Sequence, residues 1–291
     1  MPTSGTLYIV STPIGNLEDI TLRALRVLKE VDVVAAEDTR HTIKLLAHFE
    51  IRTPLVAYHQ HSEAGRTASL VDRMRDGQSI AIVTDAGTPG VSDPGGELIS
   101  AAIDAGIDVV PVPGASAVLT ALVASGLPTA RFAFEGFLPR TKSTRRTKLV
   151  AFASTETRTL IFYEAGNRTA ETLVEMAQAF GEGRHCCVGR ELTKRHEQFL
   201  RGSFKEVIAK FKAADQRGEV TIVVSGPPSA DEIEAAAVAA EMSPEVALTS
   251  ALHAALASGM SERDAVKQVS SYLKLSKRDV YAAMLEMKTQ D

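Results

Sequence analysis

Two acidic residues, Glu37 and Asp38, directly follow the apolar run 31–36. A carboxylate at the end of a buried strand is well placed to act as a general base and take a proton from a hydroxyl group. Asp38 with Arg40 reads equally well as a structural ion pair, so both roles stay open for the segment 37–40. Three apolar runs lead into loops of one chemical kind: Ser11-Thr12-Pro13-Ile14-Gly15-Asn16, Asp85-Ala86-Gly87-Thr88-Pro89-Gly90 and Pro113-Gly114-Ala115-Ser116-Ala117. Glycine lets a ligand approach the backbone closely, and proline stiffens the loop that carries it. Neither the Gly-x-Gly-x-x-Gly pattern of a dinucleotide site nor a Gly-x-x-x-x-Gly-Lys-Ser/Thr phosphate loop is present. Lys and Arg are missing from 85–89 and 113–117. The loops therefore suit a cofactor that needs no phosphate cradle, of which S-adenosylmethionine is one. Read blandly, they are tight turns in an α/β sheet.

The formal net charge of −4 argues against a general polyanion binder, because sequence-independent affinity for nucleic acid comes from Lys and Arg neutralising phosphates. Any nucleic-acid contact must be local. The best local candidate is Arg140-Thr141-Lys142-Ser143-Thr144-Arg145-Arg146-Thr147-Lys148, with no acidic residue between Glu135 and Glu156; as a bland alternative it is a solvated loop. Arg66, Arg73 and Arg75 could extend such a surface. His59-Gln60-His61 has the spacing of one face of a strand, but no third ligand is apparent and a metal is not expected. Adjacent Cys186 and Cys187 suit neither a disulfide framework nor a spaced zinc site.

These residues must be positioned by an alternation of short β-branched runs with longer helical patterns. The runs are 7–10, 31–36, 80–84, 109–112, 160–163, 186–188 and 220–225. That rhythm predicts an α/β protein with a substantially parallel sheet, whose ligands lie beyond the carboxyl ends of the strands. The pattern changes after Gly126-Leu127-Pro128, which places a first αβ domain at 1–120 and a second at 121–228. An acidic, Ala-rich linker follows at 229–242. Residues 243–291 read as three helices, with Ser243-Pro244-Glu245 as a start, Gly259 as a stop, and Ser261 with Asp264 and Ser276 with Asp279 as capping pairs. Six basic residues balance six acidic ones there, so the module is expected to support packing or a dimer and not to be the main RNA reader. No basic leader and no run long enough to span a membrane is seen, which predicts a cytoplasmic protein.

The segment 5–40 resembles the start of the ribosomal RNA small-subunit methyltransferase I family, within the tetrapyrrole methylase superfamily. The likeness rests on Thr12-Pro13-Ile14-Gly15-Asn16-Leu17-x-Asp19-Ile20-Thr21 and on Ala35-Ala36-Glu37-Asp38-Thr39-Arg40. It continues through Asp85-Ala86-Gly87-Thr88-Pro89, Ser92-Asp93-Pro94-Gly95, Val112-Pro113-Gly114, Glu135-Gly136-Phe137-Leu138-Pro139, Phe162-Tyr163-Glu164 and Arg190-Glu191-Leu192-Thr193-Lys194. After Glu164 the family often has Ser-Pro-His-Arg or Ser-Thr-His-Arg, whereas this chain reads Ala165-Gly166-Asn167-Arg168, which puts any role of that histidine in doubt.

The resemblance implies 2′-O-methylation of a cytidine in the decoding region of small-subunit (16S) ribosomal RNA. It implies two αβ domains with S-adenosylmethionine in the cleft between them, and a homodimer acting on free RNA or on the assembled subunit. Alternatives are a methyltransferase of a tetrapyrrole or protein on the same fold, and a non-catalytic RNA-binding assembly factor. By the same resemblance the cofactor residues are Pro13, Gly15, Asp85, Ala86, Gly87, Thr88, Pro89, Pro113, Gly114, Ala115, Ser116 and Ala117. Phe162, Tyr163, Glu164, Arg190, Glu191, Leu192, Ser225, Gly226 and Pro227 would add the second domain's share. Candidates for the catalytic group are Glu37, Asp38, Arg40, Asp93, Glu164, Glu191 and Lys194. RNA contacts are expected from Arg140, Lys142, Arg145, Arg146 and Lys148. No metal is required, since the enzyme has chiefly to align the ribose oxygen with an activated methyl group, and alignment alone can supply about 7–11 kcal/mol.

Overall fold

Runs buried on both faces, such as Val33, Val34, Ala35 and Ala36, are what a parallel sheet covered by helices on both sides demands. The computed structural model describes residues 4–59, 64–211, 218–227, 244–273 and 275–290, and divides into two compact units. The first comprises Met1–Thr120 with Leu192–His196; the second comprises Ala121–Glu191 and Glu197–Asp291.

In the first unit, β1 (Thr6–Val10), β2 (Val33–Ala36), β3 (Leu55–Ala57), β4 (Ile80–Val83) and β5 (Asp108–Val112) form one wholly parallel sheet in the order β3-β2-β4-β1-β5. Side chains alternate between its faces. Val10, Val34, Ala36, Ala81 and Val83 pack against α1 (Leu22–Glu30) and α2 (Thr39–His48) through Val27, Leu28 and Leu46. Leu7, Val33, Ala35, Ile80 and Ile82 pack against α3 (Ala64–Arg75) and α4 (Gly96–Asp104) through Leu70, Met74, Leu98 and Ala102. The chain steps outward from β1 to β2 and β3, then returns to insert β4 and adds β5 on the far side of β1. With right-handed crossovers those two directions put their helices on opposite faces. Neighbouring β1 and β4 therefore send their chains apart, and the switch point of the sheet lies between their carboxyl ends.

The helix α5 (Ala117–Ser125) leads into the second unit. Its strands are β6 (Phe132–Phe137), β7 (Thr159–Ala165), β8 (His185–Arg190), β9 (Gln198–Ser203) and β10 (Glu219–Val224), in the order β6-β7-β10-β8-β9. Only β6 and β7 run parallel; the other neighbours are antiparallel, so the expected parallel character holds for the first sheet and not for this one. The connection 191–197 explains part of it, being too short for the crossover that a parallel partner needs. One face of the sheet, with Leu160, Phe162, Val188, Ile222 and Val224, forms a single core with α6 (Lys142–Thr155), α7 (Gly166–Phe180) and α8 (Phe204–Phe211).

Three helices close the chain: α9 (Pro244–Ala257), α10 (Glu262–Tyr272) and α11 (Lys277–Gln290), with a core of their own built on Leu252, Ala255, Val269, Val280 and Met284. Ser261 caps α10 by accepting from the Asp264 amide at 3.2 Å, and Ser276 accepts from the Asp279 amide at 3.1 Å. Gly259 ends α9 with φ +88°, and a Cβ there would collide with the Phe180 carbonyl oxygen. Buried Arg184 donates to the Ser258 carbonyl and, at 3.1 Å, to that of Ser225, tying the helices to the second sheet. Among the described residues no helix is long and apolar enough to cross a membrane. The linker 229–242, Pro228, the Ser243 cap, Gln60 and His61 lie outside the described residues; His59 is exposed beyond the end of β3.

Candidate active site

Every candidate loop of the first unit leaves the carboxyl edge of its sheet, following the contiguous strands β2, β4, β1 and β5. At the switch point Thr12 and Gly87 exchange backbone hydrogen bonds of 2.8 and 3.1 Å, a two-residue antiparallel bridge between chains that otherwise diverge. Gly87 takes φ +84°, which a side chain would resist. Below the bridge the Thr12 hydroxyl donates to the Thr84 carbonyl at 3.1 Å, and Ser11 Oγ meets Thr88 Oγ1 at 2.8 Å. Gly114 is bare for room: a Cβ there would lie 2.9 Å from Ser11 Cβ. The loops around Pro13, Asp85 to Pro89 and Pro113 to Ala117 are thus held against one another by backbone bonds and by the hydroxyls of Ser11, Thr12 and Thr88.

The loops after β2 and β4 are joined by two carboxylates acting reciprocally. Asp85 Oδ1 accepts from the Asp38 amide at 3.2 Å, and Glu37 Oε2 accepts from the Asp85 amide at 3.4 Å. Burial pushes the Glu37 carboxyl above its ordinary value against the lowering effect of that amide bond, and the neighbouring negative charges of Asp85 and Asp38 push the same way. Asp38 has a different task. It caps α2 by accepting from the Arg40 amide at 2.8 Å, and pairs with the Arg40 guanidinium at 2.7 Å. Arg40 holds the Asp38 carboxyl down to about 2. The Asp38–Arg40 ion pair is therefore present, and Glu37 is the carboxyl in this loop that burial holds above its ordinary value. Asp93 sits half-buried in the same edge's long loop after β4, beside Ser92 at φ +64°.

Sequence reasoning did not foresee the course of 190–196. Glu191 and Thr193 both take left-handed φ, +49° and +65°, which for residues with side chains costs of order 1–3 kcal/mol each and collects at functional sites. Leu192 between them is buried, and Lys194, Arg195 and His196 are exposed. Glu191 turns its carboxyl over Gly218, and Arg190 keeps a buried Nε with no hydrogen-bond partner among the described residues. The only sequence signal was the motif itself.

Other expected site residues serve the second unit's own structure. The Phe162 ring is fully buried in the core against Phe152, with ring centroids 5.9 Å apart, and so is not available to a cofactor. Tyr163, on the opposite face of β7, is half-buried with Phe134 and Phe137 edge-on to it. Glu164 is 1% exposed and accepts from the Ala165 amide at 2.9 Å, the Thr172 hydroxyl at 2.8 Å and Arg168 at 3.2 Å, which locks β7 to α7. Gly226 has no room for a Cβ beside the Thr157 carbonyl, and the Ser225 amide donates to His185.

The basic segment 140–148 is no loop; from Lys142 it is the first turns of α6. Arg145 is a correction to the expected RNA contacts: it is 2% exposed, with its guanidinium on Glu175, on the carbonyls of Pro139 and Arg140, and near Glu171. Lys142 pairs with Glu171 at 2.5 Å and Lys148 with Glu135 at 3.3 Å, so acids far away in sequence neutralise part of the patch. Arg140 and Arg146 are exposed and have no ion pair among the described residues. No cluster of three metal-ligating side chains occurs among the described residues either.

A doubly covered parallel sheet with a backbone-stitched switch point, followed by a mixed sheet, defines a class. The family model of the Tetrapyrrole (Corrin/Porphyrin) Methylases matches residues 6–208. The chain is also similar to a uroporphyrin-III C-methyltransferase from Thermus thermophilus solved with S-adenosylhomocysteine, with a TM-score of 0.52 and 24% identity over 75% of this chain and 97% of that one. Closer in sequence are proteins named ribosomal RNA small subunit methyltransferase I. That of Synechocystis sp. is 45% identical over 97% of this chain and 98% of its own, and that of Halalkalibacterium halodurans 47% identical over 95% and 93%. The chain belongs to the tetrapyrrole methylases and, within them, to the ribosomal RNA small subunit methyltransferase I family.

Proposed function

We propose that the chain is an S-adenosylmethionine-dependent ribosomal RNA methyltransferase that methylates the 2′-oxygen of a cytidine in the decoding region of the small subunit. The observation that carries this is the carboxyl edge of the first sheet, where Glu37, Asp85 and Gly-Pro backbone lie together in a chain of this family.

The residues present fit the cofactor. Segments 85–89 and 113–117 offer backbone donors and acceptors and no Lys or Arg, so no side-chain cation stands ready for a phosphate there. A molecule carrying a sulfonium and an ammonium instead meets carboxylates. Such a cofactor supplies a methyl carbon already activated toward in-line displacement. The protein's task is then to align the acceptor hydroxyl and take its proton. Glu37 is the group we assign to the second role, because burial and the neighbouring carboxylates raise its carboxyl above its ordinary value, which makes it a stronger base once ionised. Asp38 and Arg40 fix the loop that carries it. Ala86 and Ala115 are small where a cofactor would pass, and Arg140 and Arg146 are the members of the basic segment placed to meet RNA phosphates.

The test is transfer of label from S-adenosylmethionine to small ribosomal subunits lacking the modification, followed by nucleoside analysis. Labelled 2′-O-methylcytidine is expected. Label in a methylated base would remove the 2′-hydroxyl reading. Cofactor binding without any labelled RNA would favour another acceptor on the same fold, and failure to bind the cofactor would favour an assembly factor.

A further inference from the structure

Along a regular strand side chains alternate, so Phe134 and Phe137 of β6 should face opposite sides of the sheet. They do not. The register against β7 shifts between them: Phe134 lies opposite Ile161 and Phe137 opposite Tyr163, so three steps along β6 cover two along β7. The extra residue is a β-bulge, a device that re-aims a side chain, and Gly136 within it takes a left-handed backbone with φ +64°. Its effect is to bring Phe137 to the side of the sheet that already carries Phe134 and Tyr163. Both phenylalanine rings stand edge-on to Tyr163, with centroids 4.8 and 5.5 Å from it. Phe137 is the open member of the three, 51% exposed, while Phe134 and Tyr163 are half-buried. An isolated exposed phenylalanine calls for no explanation, but here a bulge turns the ring to this face and a second aromatic ring backs it.

The residues around Phe137 hold it firmly and set it beside positive charge. Leu138, the next residue, is 3% exposed in the core of the second unit, on the helix-covered side of the sheet. Glu135, inside the bulge, pairs with Lys148 of α6 at 3.3 Å, which draws its carboxylate toward that helix. The buried Arg145 guanidinium donates to the Pro139 and Arg140 carbonyls at 3.3 and 3.2 Å. The backbone is thus clamped from Phe137 to Arg140, and exposed Arg140 has no ion pair among the described residues. A firmly held, half-exposed aromatic ring followed along the chain by an available cation suits single-stranded nucleic acid: the ring takes an unpaired base and the cation takes a phosphate. The motif Glu135-Gly136-Phe137-Leu138-Pro139 has no part in the methyl transfer described above, and this contact gives it one.

We propose that Phe137 is a stacking platform for an unpaired base of the substrate RNA, turned to its face of the sheet by the bulge at Glu135 and Gly136, with Arg140 on a phosphate of the same strand. Phe137 meets the π-face that every base has, so it holds the strand without reading its sequence, and it touches no reacting atom. This contact rests on the reading that RNA is the substrate, and it adds a base contact to the phosphate contacts of the basic segment.

The experiment uses the full chain with Phe137→Leu, Phe137→Trp and Arg140→Ala. Binding of a fluorescent single-stranded RNA with the decoding-region sequence of 16S ribosomal RNA is followed by anisotropy across salt, and binding of S-adenosylhomocysteine by calorimetry. A matched set of RNAs carries one abasic nucleotide at each position in turn. Phe137→Leu keeps an apolar side chain beside Tyr163 and loses the ring; it is expected to weaken RNA binding about tenfold and to leave the slope of log affinity against log salt unchanged. Phe137→Trp should bind as well as the wild type or better. Arg140→Ala should instead lower the salt slope by ~0.7, the loss of one phosphate contact on a single strand. At one position the abasic nucleotide should cost the wild type the same factor as Phe137→Leu and cost that variant almost nothing more, since both changes remove one stack. S-adenosylhomocysteine affinity should not change in Phe137→Leu. An equal loss of it would make the ring a wall of the cofactor site and overturn the proposal. So would losses from Phe137→Leu and the abasic nucleotide that multiply at every position, or a Phe137→Trp as weak as Phe137→Leu. Should Phe137→Leu fail to fold, as judged by its thermal transition, Phe137→Trp on the abasic series decides the matter: one position should cost it at least what it costs the wild type, and a smaller cost at every position would contradict stacking. Wild type and Phe137→Leu binding the RNA equally would remove this contact and leave RNA as the substrate. A wild type that binds no RNA would remove both.

Discussion

Glu37 is held in a place that disfavours its charge, through burial first and then the carboxylates of Asp85 and Asp38. A base must be deprotonated to act, so methyl transfer should fall away with acid at a higher pH than an ordinary glutamate would give, and reach a plateau above it. Single-turnover rates measured against pH should show that limb in the wild type. Glu37→Gln should lose it along with ~10²–10⁴ in rate, with cofactor affinity little changed. Asp38 behaves oppositely. Arg40 depresses its carboxyl from 3.8 to about 2, so its contribution to stability is complete above the higher value and disappears as pH falls through the lower. Arg145 sets a prediction for stability: Arg145→Ala removes the buried partner of Glu175, whose own side chain is 19% exposed, and urea denaturation should show a loss below the ~3–5 kcal/mol of a fully buried pair, whereas Arg146→Ala should leave stability nearly unchanged. Neither distinction was legible in the sequence. Glu37 and Asp85 are 48 positions apart, and the five basic residues of 140–148 look alike until Glu171 and Glu175 on α7 select two of them.

At the scale of elements, Gly259 is the joint of the C-terminal helices, since it ends α9 in a left-handed conformation with its Cα against the backbone of 180–181. Gly259→Ala adds a strain of ~1–2 kcal/mol for the conformation alone, and the clash with Phe180 adds to it. The expected outcome is a lower thermal midpoint, with faster amide exchange in α9, α10 and α11 than in β7 or β10. The strands whose apolar runs stand out, β1, β2, β4, β5, β7, β8 and β10, could be read from the sequence because β-branched and apolar residues run together in them, most fully where the strand is buried, as in β2 and β4, and still at the edge strand β5. β3 has only Leu55, Val56 and Ala57, too short to be distinguished from a loop. β9, Gln198-Phe199-Leu200-Arg201-Gly202-Ser203, is an edge strand with polar ends and no continuous apolar run. The antiparallel direction of β8, β9 and β10 depends on pairing, which period alone does not encode. The capping pairs at Ser261 and Ser276 were legible because a cap is local chemistry.

At the scale of the whole molecule, a chain of net charge −4 in a ribosomal RNA methyltransferase family cannot hold RNA by general attraction. Under the proposed function RNA contact falls to a few local cations, such as Arg140 and Arg146, and the slope of log affinity against log salt should be shallow, set by that small number of phosphate contacts. The loops that meet at the carboxyl edge of the first sheet were legible as a group because they share Gly and Pro at strand ends. What the sequence concealed was their stitching, in particular the Thr12 to Gly87 bridge that fixes β1 against β4. A 2′-O-methyl group removes the nucleophile that cleaves the adjoining phosphodiester in alkali, so the site of reaction can be read directly. Small ribosomal subunits lacking the modification are incubated with the protein and S-adenosylmethionine, and the extracted RNA is resolved as an alkaline ladder. The expected result is one protected linkage, 3′ to a cytidine of the decoding region, absent with Glu37→Gln. A ladder unchanged by the wild-type protein while methyl label enters the RNA would contradict ribose methylation and move the acceptor to a base.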